Sequence, residues 1–154
     1  MKPLPVPPRS RGFTLIELLV VLVILGIAAS LVFVDAMPGA RRSLVFEAER
    51  LAQLLVLARD EAQLRGRPIR LRTGADGFGF ESLSELRWQP VVDDPDLRSR
   101  LWDSPTEVTV TRADGLREVE FGRESVDAPF VLRLARGEAD VEIRADGLGR
   151  FDVR

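Results

Sequence analysis

The chain contains no cysteine, no histidine and no tyrosine. Without cysteine there is neither a disulfide nor a thiolate metal site, and the redox compartment is left open. Without histidine the commonest general base and the commonest zinc ligand are missing, and so is every Ser–His or Cys–His nucleophile pair. An excess of charge is missing too: 22 basic against 24 acidic residues leave a formal net charge of −2. No global basic field exists to draw in nucleic acid. The carboxylates that remain do not read as chemistry. Asp60 and Glu61 are ordinary surface of an amphipathic segment, with no pocket or perturbed acid implied. Asp93, Asp94 and Asp96 flank Pro95 and read as a solvated turn, since a calcium site needs several oxygen ligands on one loop. No catalytic residue, metal or cofactor is expected.

Charge is also missing locally. Lys2, Arg9 and Arg11 all precede a long apolar run, and setting these three cations aside takes the net charge from −2 to −5. Residues 1–12 are basic and interrupted by Pro3, Pro5, Pro7 and Pro8, which no helix tolerates. The 22 residues from Phe13 to Val34 hold one charge, Glu17. As a helix at ~1.5 Å per residue this run would be about 33 Å long, against a bilayer core of ~30 Å. A secretory signal peptide is one reading, with Val34-Asp35-Ala36 as cleavage site, but the run exceeds an h-region of ~7–15 residues. A plain transmembrane anchor is a second. The basic leader would keep the N-terminus cytoplasmic. Neither reading accounts for Gly12-Phe13-Thr14-Leu15-Ile16-Glu17 at the boundary, where an intramembrane acid needs a partner.

Beyond the run, Pro38 and Gly39 imply a kink or short break over 35–42. Over 43–66, Ala48, Leu51, Leu55, Ala58 and Ala62 recur at spacings of three and four, the signature of an amphipathic helix. Gly66 and Pro68 stop it. From 67 to 154 the pattern turns to short alternating strands and turns. Segments at 69–72, 78–82, 86–91, 108–111, 119–121, 130–134, 141–144 and 151–153 make seven or eight antiparallel strands. Asp114-Gly115 is a hairpin-type dipeptide, and Asp146-Gly147-Leu148-Gly149 closes a terminal hairpin. The fold class is α+β, a long N-terminal helix packed on an antiparallel β domain. Trp88 and Trp102 read as core or half-buried residues. Arg65, Arg67, Arg70 and Arg72 read as a solvated strand face, so no nucleic acid is expected. Gly147-x-Gly149 lacks a following helix and is not a phosphate loop.

A basic leader ending in glycine, then Phe-Thr-Leu-Ile-Glu and about twenty apolar residues, resembles the signal segment of type IV pilins and type II secretion pseudopilins. Leu57-Ala58-Arg59-Asp60-Glu61-Ala62, Arg65-Gly66-Arg67-Pro68-Ile69, the Gly-Phe-x-Phe strand, Ala128-Pro129-Phe130-Val131-Leu132 and Asp146-Gly147-x-Gly149-Arg150 resemble the protein H (GspH) family of minor pseudopilins. FimT-like minor pilins are close relatives, and the shared signal segment does not separate the two. The likeness is loosest from Asp93 to Thr111. It implies a pilin-like fold and a structural role near the tip of a periplasmic pseudopilus that exports folded proteins. It also implies that a prepilin peptidase cuts after Gly12 and methylates the new amine of Phe13. Glu17 would meet such an amine on a neighbouring subunit during filament assembly. The implied partners are other major and minor pseudopilins, the peptidase, the inner membrane and secreted exoproteins. The implied location is the bacterial inner membrane, crossed once, with the C-terminal domain in the periplasm.

Overall fold

The computed structural model describes residues 15–154, with the helical backbone alone for residues 26–38. The chain divides into two compact units, Met1–Ala36 and Met37–Arg154. One helix, α1 (Leu15–Arg65, 51 residues), accounts for all the helix among the described residues. A kink or short break over 35–42 was the expectation. The helical assignment continues through that segment without a break, and the division between the units falls inside it. The physical reason is that an interior proline removes one hydrogen bond of the ladder and strains the preceding turn without ending the helix. Among the described residues no helix is long and apolar enough to cross a membrane. Phe13, Thr14 and the side chains of 26–34, all part of the expected span, lie outside the described residues.

In the second unit α1 buries one stripe completely: Leu44, Ala48, Leu51, Leu55, Ala58 and Ala62. The three alanines leave room for a sheet to approach, and the three leucines supply about 1.5–3 kcal/mol of burial each. Gly66, at φ +64°, stops the helix in the left-handed conformation that favours glycine. Its carbonyl accepts the Arg123 Nε–H at 2.8 Å.

Nine strands follow, one more than the upper expectation: β1 (Ile69–Thr73), β2 (Gly77–Ser84), β3 (Arg87–Pro90), β4 (Arg100–Leu101), β5 (Glu107–Arg112), β6 (Glu120–Phe121), β7 (Phe130–Arg136), β8 (Ala139–Ala145) and β9 (Phe151–Val153). They form two antiparallel sheets. The first has the order β3-β2-β1-β6, with β4 also on β2; the second has the order β5-β7-β8-β9. Two-residue β4 carries no alternation, so nothing in the sequence marks it. What admits it is the glycine pair of the Gly-Phe-Gly-Phe strand. A Cβ on Gly77 would overlap the Arg100 carbonyl, and one on Gly79 would press on Ser99. The small residues of β2 let segment 99–101 lie across it.

The Asp114-Gly115 turn forms, with Gly115 at φ +79° and its N–H donated to Arg112 O at 3.2 Å. It does not make a hairpin. β5 pairs with β7, setting Val108 opposite Leu134 and Val110 opposite Leu132, while β6 crosses to the other sheet and pairs with β1. The non-local pairing wins because Leu132 and Leu134 are completely buried. The terminal hairpin is as expected, with β8 on β9.

Candidate assembly site

The short motif that marks the N-terminal site straddles the first described residue. Gly12 and Phe13 lie outside the described residues. Glu17 lies in the first turn of α1, where a carboxylate complements the helix dipole. The large apolar side chains from Leu15 to Leu25 around it are all exposed. An apolar helix surface with one embedded acid cannot stay in water; it suits a bilayer or the inside of a helical bundle.

The second unit holds α1 through polar anchors at both ends of its buried stripe. At the first end, Arg136 of β7 pairs with Glu47 of α1, both side chains nearly buried. Arg136 also donates to Thr106 Oγ1 at 2.7 Å, and the Asp103 N–H donates to Glu47 Oε1 at 2.6 Å. Ser43 Oγ completes the cluster by donating to Asp103 Oδ2 at 3.1 Å. At the other end Arg59 donates to the Ser125 carbonyl, and Gln63 Nε2 donates to Glu124 O at 3.2 Å. The loop after β6 is thereby tied to the last turns of the helix.

A third cluster holds the loops of that end. Arg112, whose side chain is 5% exposed, pairs with Asp114 at 2.8 Å and Asp127 at 3.0 Å. Its guanidinium lies over the Phe130 ring, 5.8 Å from the centroid. Hydrogen bonding to Asp114 is the leading reason that the Arg112 pKa is raised, and burial opposes it. The Arg112 hydrogen bond in turn lowers the Asp114 carboxyl to about 2, aided by the Leu116 amide. Asp146 is lowered by the amides of Leu148 and Arg150, at 2.7 and 3.1 Å from Oδ1.

Other residues singled out by sequence fall as follows. Arg70 is bound to Glu81 at 2.7 Å and stacks over Trp88, 4.3 Å from the ring. Arg72 reaches Glu81 at 3.9 Å, and Arg65 pairs with Glu61 one turn back. The arginine run is therefore largely matched by acids of the same unit. Trp102 is buried against Phe78 and donates Nε1–H to Gly74 O at 3.0 Å; Trp88 is half-buried. Asp94 Oδ1 accepts the Asp96 amide at 2.8 Å, and Asp96 faces Arg100 at 3.8 Å. Sequence reasoning missed Arg112, Asp127, Glu47 and Arg136 altogether. The only available signal for Arg112 was its place at the end of a strand just before an Asp-Gly turn.

The comparisons with known proteins bear on both units. The profile described as the prokaryotic N-terminal methylation motif matches residues 7–33, a span that includes Gly12, Phe13 and Glu17. The profile described as type II transport protein GspH matches residues 47–149. The chain belongs to the GspH family. Among its GspH relatives, type II secretion system protein H of Pseudomonas aeruginosa is 36% identical over 139 residues, covering 84% of this chain and 78% of the relative. The Aeromonas hydrophila protein of the same name is 29% identical, covering 93% and 92%. The fold is shared with the minor pseudopilin EpsH of the Vibrio cholerae type 2 secretion system, at a TM-score of 0.59 and 16% identity over 73% of this chain and 96% of that one. It is also shared with Escherichia coli GspH, at 0.56 and 20% over 75% and 88%. This GspH chain is thus a structural subunit of the pseudopilin class, a minor pseudopilin of type II secretion.

Proposed function

We propose that this chain is made as a prepilin-type precursor, cut between Gly12 and Phe13 and methylated on the new Phe13 amine. The single observation that carries the reading is the methylation-type motif over 7–33 directly preceding a GspH body over 47–149. Residues 13–34 then hold the subunit in the inner membrane, N-terminus inward, with the second unit in the periplasm. Length and apolarity of the sequence support this span. The amine of Phe13 on one subunit meets Glu17 of its neighbour as the subunit leaves the bilayer for the pseudopilus. Two charges in a low-dielectric bundle attract strongly, but desolvation offsets much of the gain, so the pair selects register more than affinity. The subunit sits near the tip with other minor pseudopilins and serves the export of folded proteins. Its role is structural rather than enzymatic, and its partners are pseudopilins, the peptidase, the membrane and the exoproteins.

Glu17→Ala tests this in a type II secreting host that depends on the chain. The expected result is normal cleavage, a membrane-resident subunit and loss of exoprotein secretion. Secretion at the wild-type level would contradict the reading, because a simple anchor does not need the acid.

A further inference from the structure

A pentapeptide, Arg-Ala-Asp-Gly-Leu, occurs twice, at 112–116 and 144–148. Both copies fold alike where they matter. The Asp carboxylate accepts the amide of the leucine two residues on, at 3.1 Å for Leu116 and 2.7 Å for Leu148. The intervening glycine has φ +79° in one and +81° in the other. In each the leucine is turned outward, Leu116 at 60% and Leu148 at 68% exposure. Asx turns of this kind fix a short loop without any core behind it.

The two copies are joined through a third loop. Arg112 bridges Asp114 and Asp127, and the Asp127 N–H donates to Gly147 O at 2.9 Å. A Cβ at Gly147 would overlap the Asp127 carbonyl, so the loops are in direct backbone contact. The third loop carries Val126, 61% exposed, and is fastened to the end of α1 by Arg59 and Gln63. Three outward aliphatic side chains therefore stand on loops locked to one another at the end of the unit where α1 finishes. Such an arrangement presents apolar area with its ordering cost already met, which is what a docking surface requires.

Charge indicates the occupant. Most acids of these loops are turned to internal partners: Asp114 and Asp127 to Arg112, Asp146 to two amides, Glu118 to Arg70 at 3.7 Å. The arginines next to the leucines face outward. Arg117 and Arg150 are exposed, and neither forms a salt bridge among the described residues, Arg150 acting on Asp146 only at longer range. Glu124 is the acid left outward. The surface is thus aliphatic with cations at its edge, and its complement is aliphatic with carboxylates at its edge. We propose that the Leu116, Val126 and Leu148 loops dock an acid-edged aliphatic patch of a neighbouring pilin-type subunit. The occupant rests on the filament role argued above; the surface itself does not.

The test uses the full chain in its secreting host. The double variant Leu116→Asp/Leu148→Asp and the charge variant Arg117→Glu/Arg150→Glu should each lower secretion about tenfold or more, as loss of interface anchors does. Subunit level and N-terminal processing should stay unchanged, and Arg117→Lys/Arg150→Lys should retain secretion. Leu148→Cys provides the only thiol of a cysteine-free chain. Coupled to a photoactivated maleimide, it should form an adduct with a pilin-type subunit at a peptide holding aliphatic residues beside Asp or Glu. Wild-type secretion by both the double and the charge variant, an adduct on an exoprotein, or no such adduct overturns the proposal. If Glu17→Ala abolishes secretion while these variants do not, the docking surface fails and the filament role stands. If Glu17→Ala leaves secretion intact, it is the filament role that fails.

Discussion

Removing Arg136 is the most informative perturbation of the β domain. Its side chain and that of Glu47 are 12% and 13% exposed, so the pair sits in neither full solvent nor a dry core. Arg136→Ala strips Glu47 of its cation and leaves the carboxylate with the Asp103 amide at 2.6 Å. Thr106 Oγ1 also loses the donor at 2.7 Å while remaining buried. Breaking a buried pair from one side costs ~3–5 kcal/mol; the partial exposure brings the expectation down to about 2–4 kcal/mol. At about 4 °C per kcal/mol for a domain of this size, the melting temperature should fall by roughly 8–16 °C. Trp102, adjacent to Asp103 and buried against Phe78, makes its fluorescence a direct readout during urea or thermal unfolding of the processed chain in detergent. Glu47→Gln/Arg136→Met should cost less than Arg136→Ala alone, since no charge is left uncompensated. An Arg136→Ala change within about 0.5 kcal/mol of wild type, the ordinary range for surface substitutions, would refute the reasoning.

Three further outcomes follow from the same geometry. Gly147→Ala should destabilise by about 2 kcal/mol or more, because it adds a clash with Asp127 to the left-handed φ, whereas Gly137→Ala, at φ +60° in open space, should cost only about 1 kcal/mol by urea unfolding. Asp114 and Asp146 have lowered pKa values in the folded chain. Their stabilisation is therefore complete above the unfolded carboxylate pKa of ~3.9 and is lost as pH falls through each lowered folded value, about 2 for Asp114, so the urea midpoint of Asp114→Asn should vary less than wild type between pH 5 and 2. Trp102→Phe keeps the ring contact with Phe78 but orphans the Gly74 carbonyl, a cost of about 1 kcal/mol in the same unfolding assay.

Much of the fold was legible because local pattern and tertiary demand agree. The stripe from Ala48 to Ala62 is the one buried against the sheets, and the alternation in β1, β7 and β8 matches the faces they present. Of the kink or short break expected over 35–42, the helix shows no break, since proline weakens a helix it need not end. β4 had no periodicity to show, and the crossing of β6 to β1 depends on which strands bury Leu132 and Leu134, a non-local choice. The N-terminal motif was legible from spacing and residue type because its residues are adjacent in the linear chain and need no fold to bring them together. The Arg112, Glu47 and Arg136 clusters were not, because a buried cation looks like any other arginine until the fold places its carboxylate partners beside it, Asp114 and Asp127 for Arg112 and the distant Glu47 for Arg136. The RADGL repeat was in plain view in the sequence. Its meaning depends on both leucines pointing outward, which only the folded turns reveal.

The proposed filament role depends on a processed N-terminus. The direct measurement is the mass of the N-terminal peptide of the chain purified from membranes of its native host. Processing as argued predicts a peptide that begins at Phe13 and is one methyl group heavier than the bare residue sequence. A peptide beginning at Met37, left by ordinary signal-peptide cleavage, or an intact Met1 on a static anchor, would contradict the account.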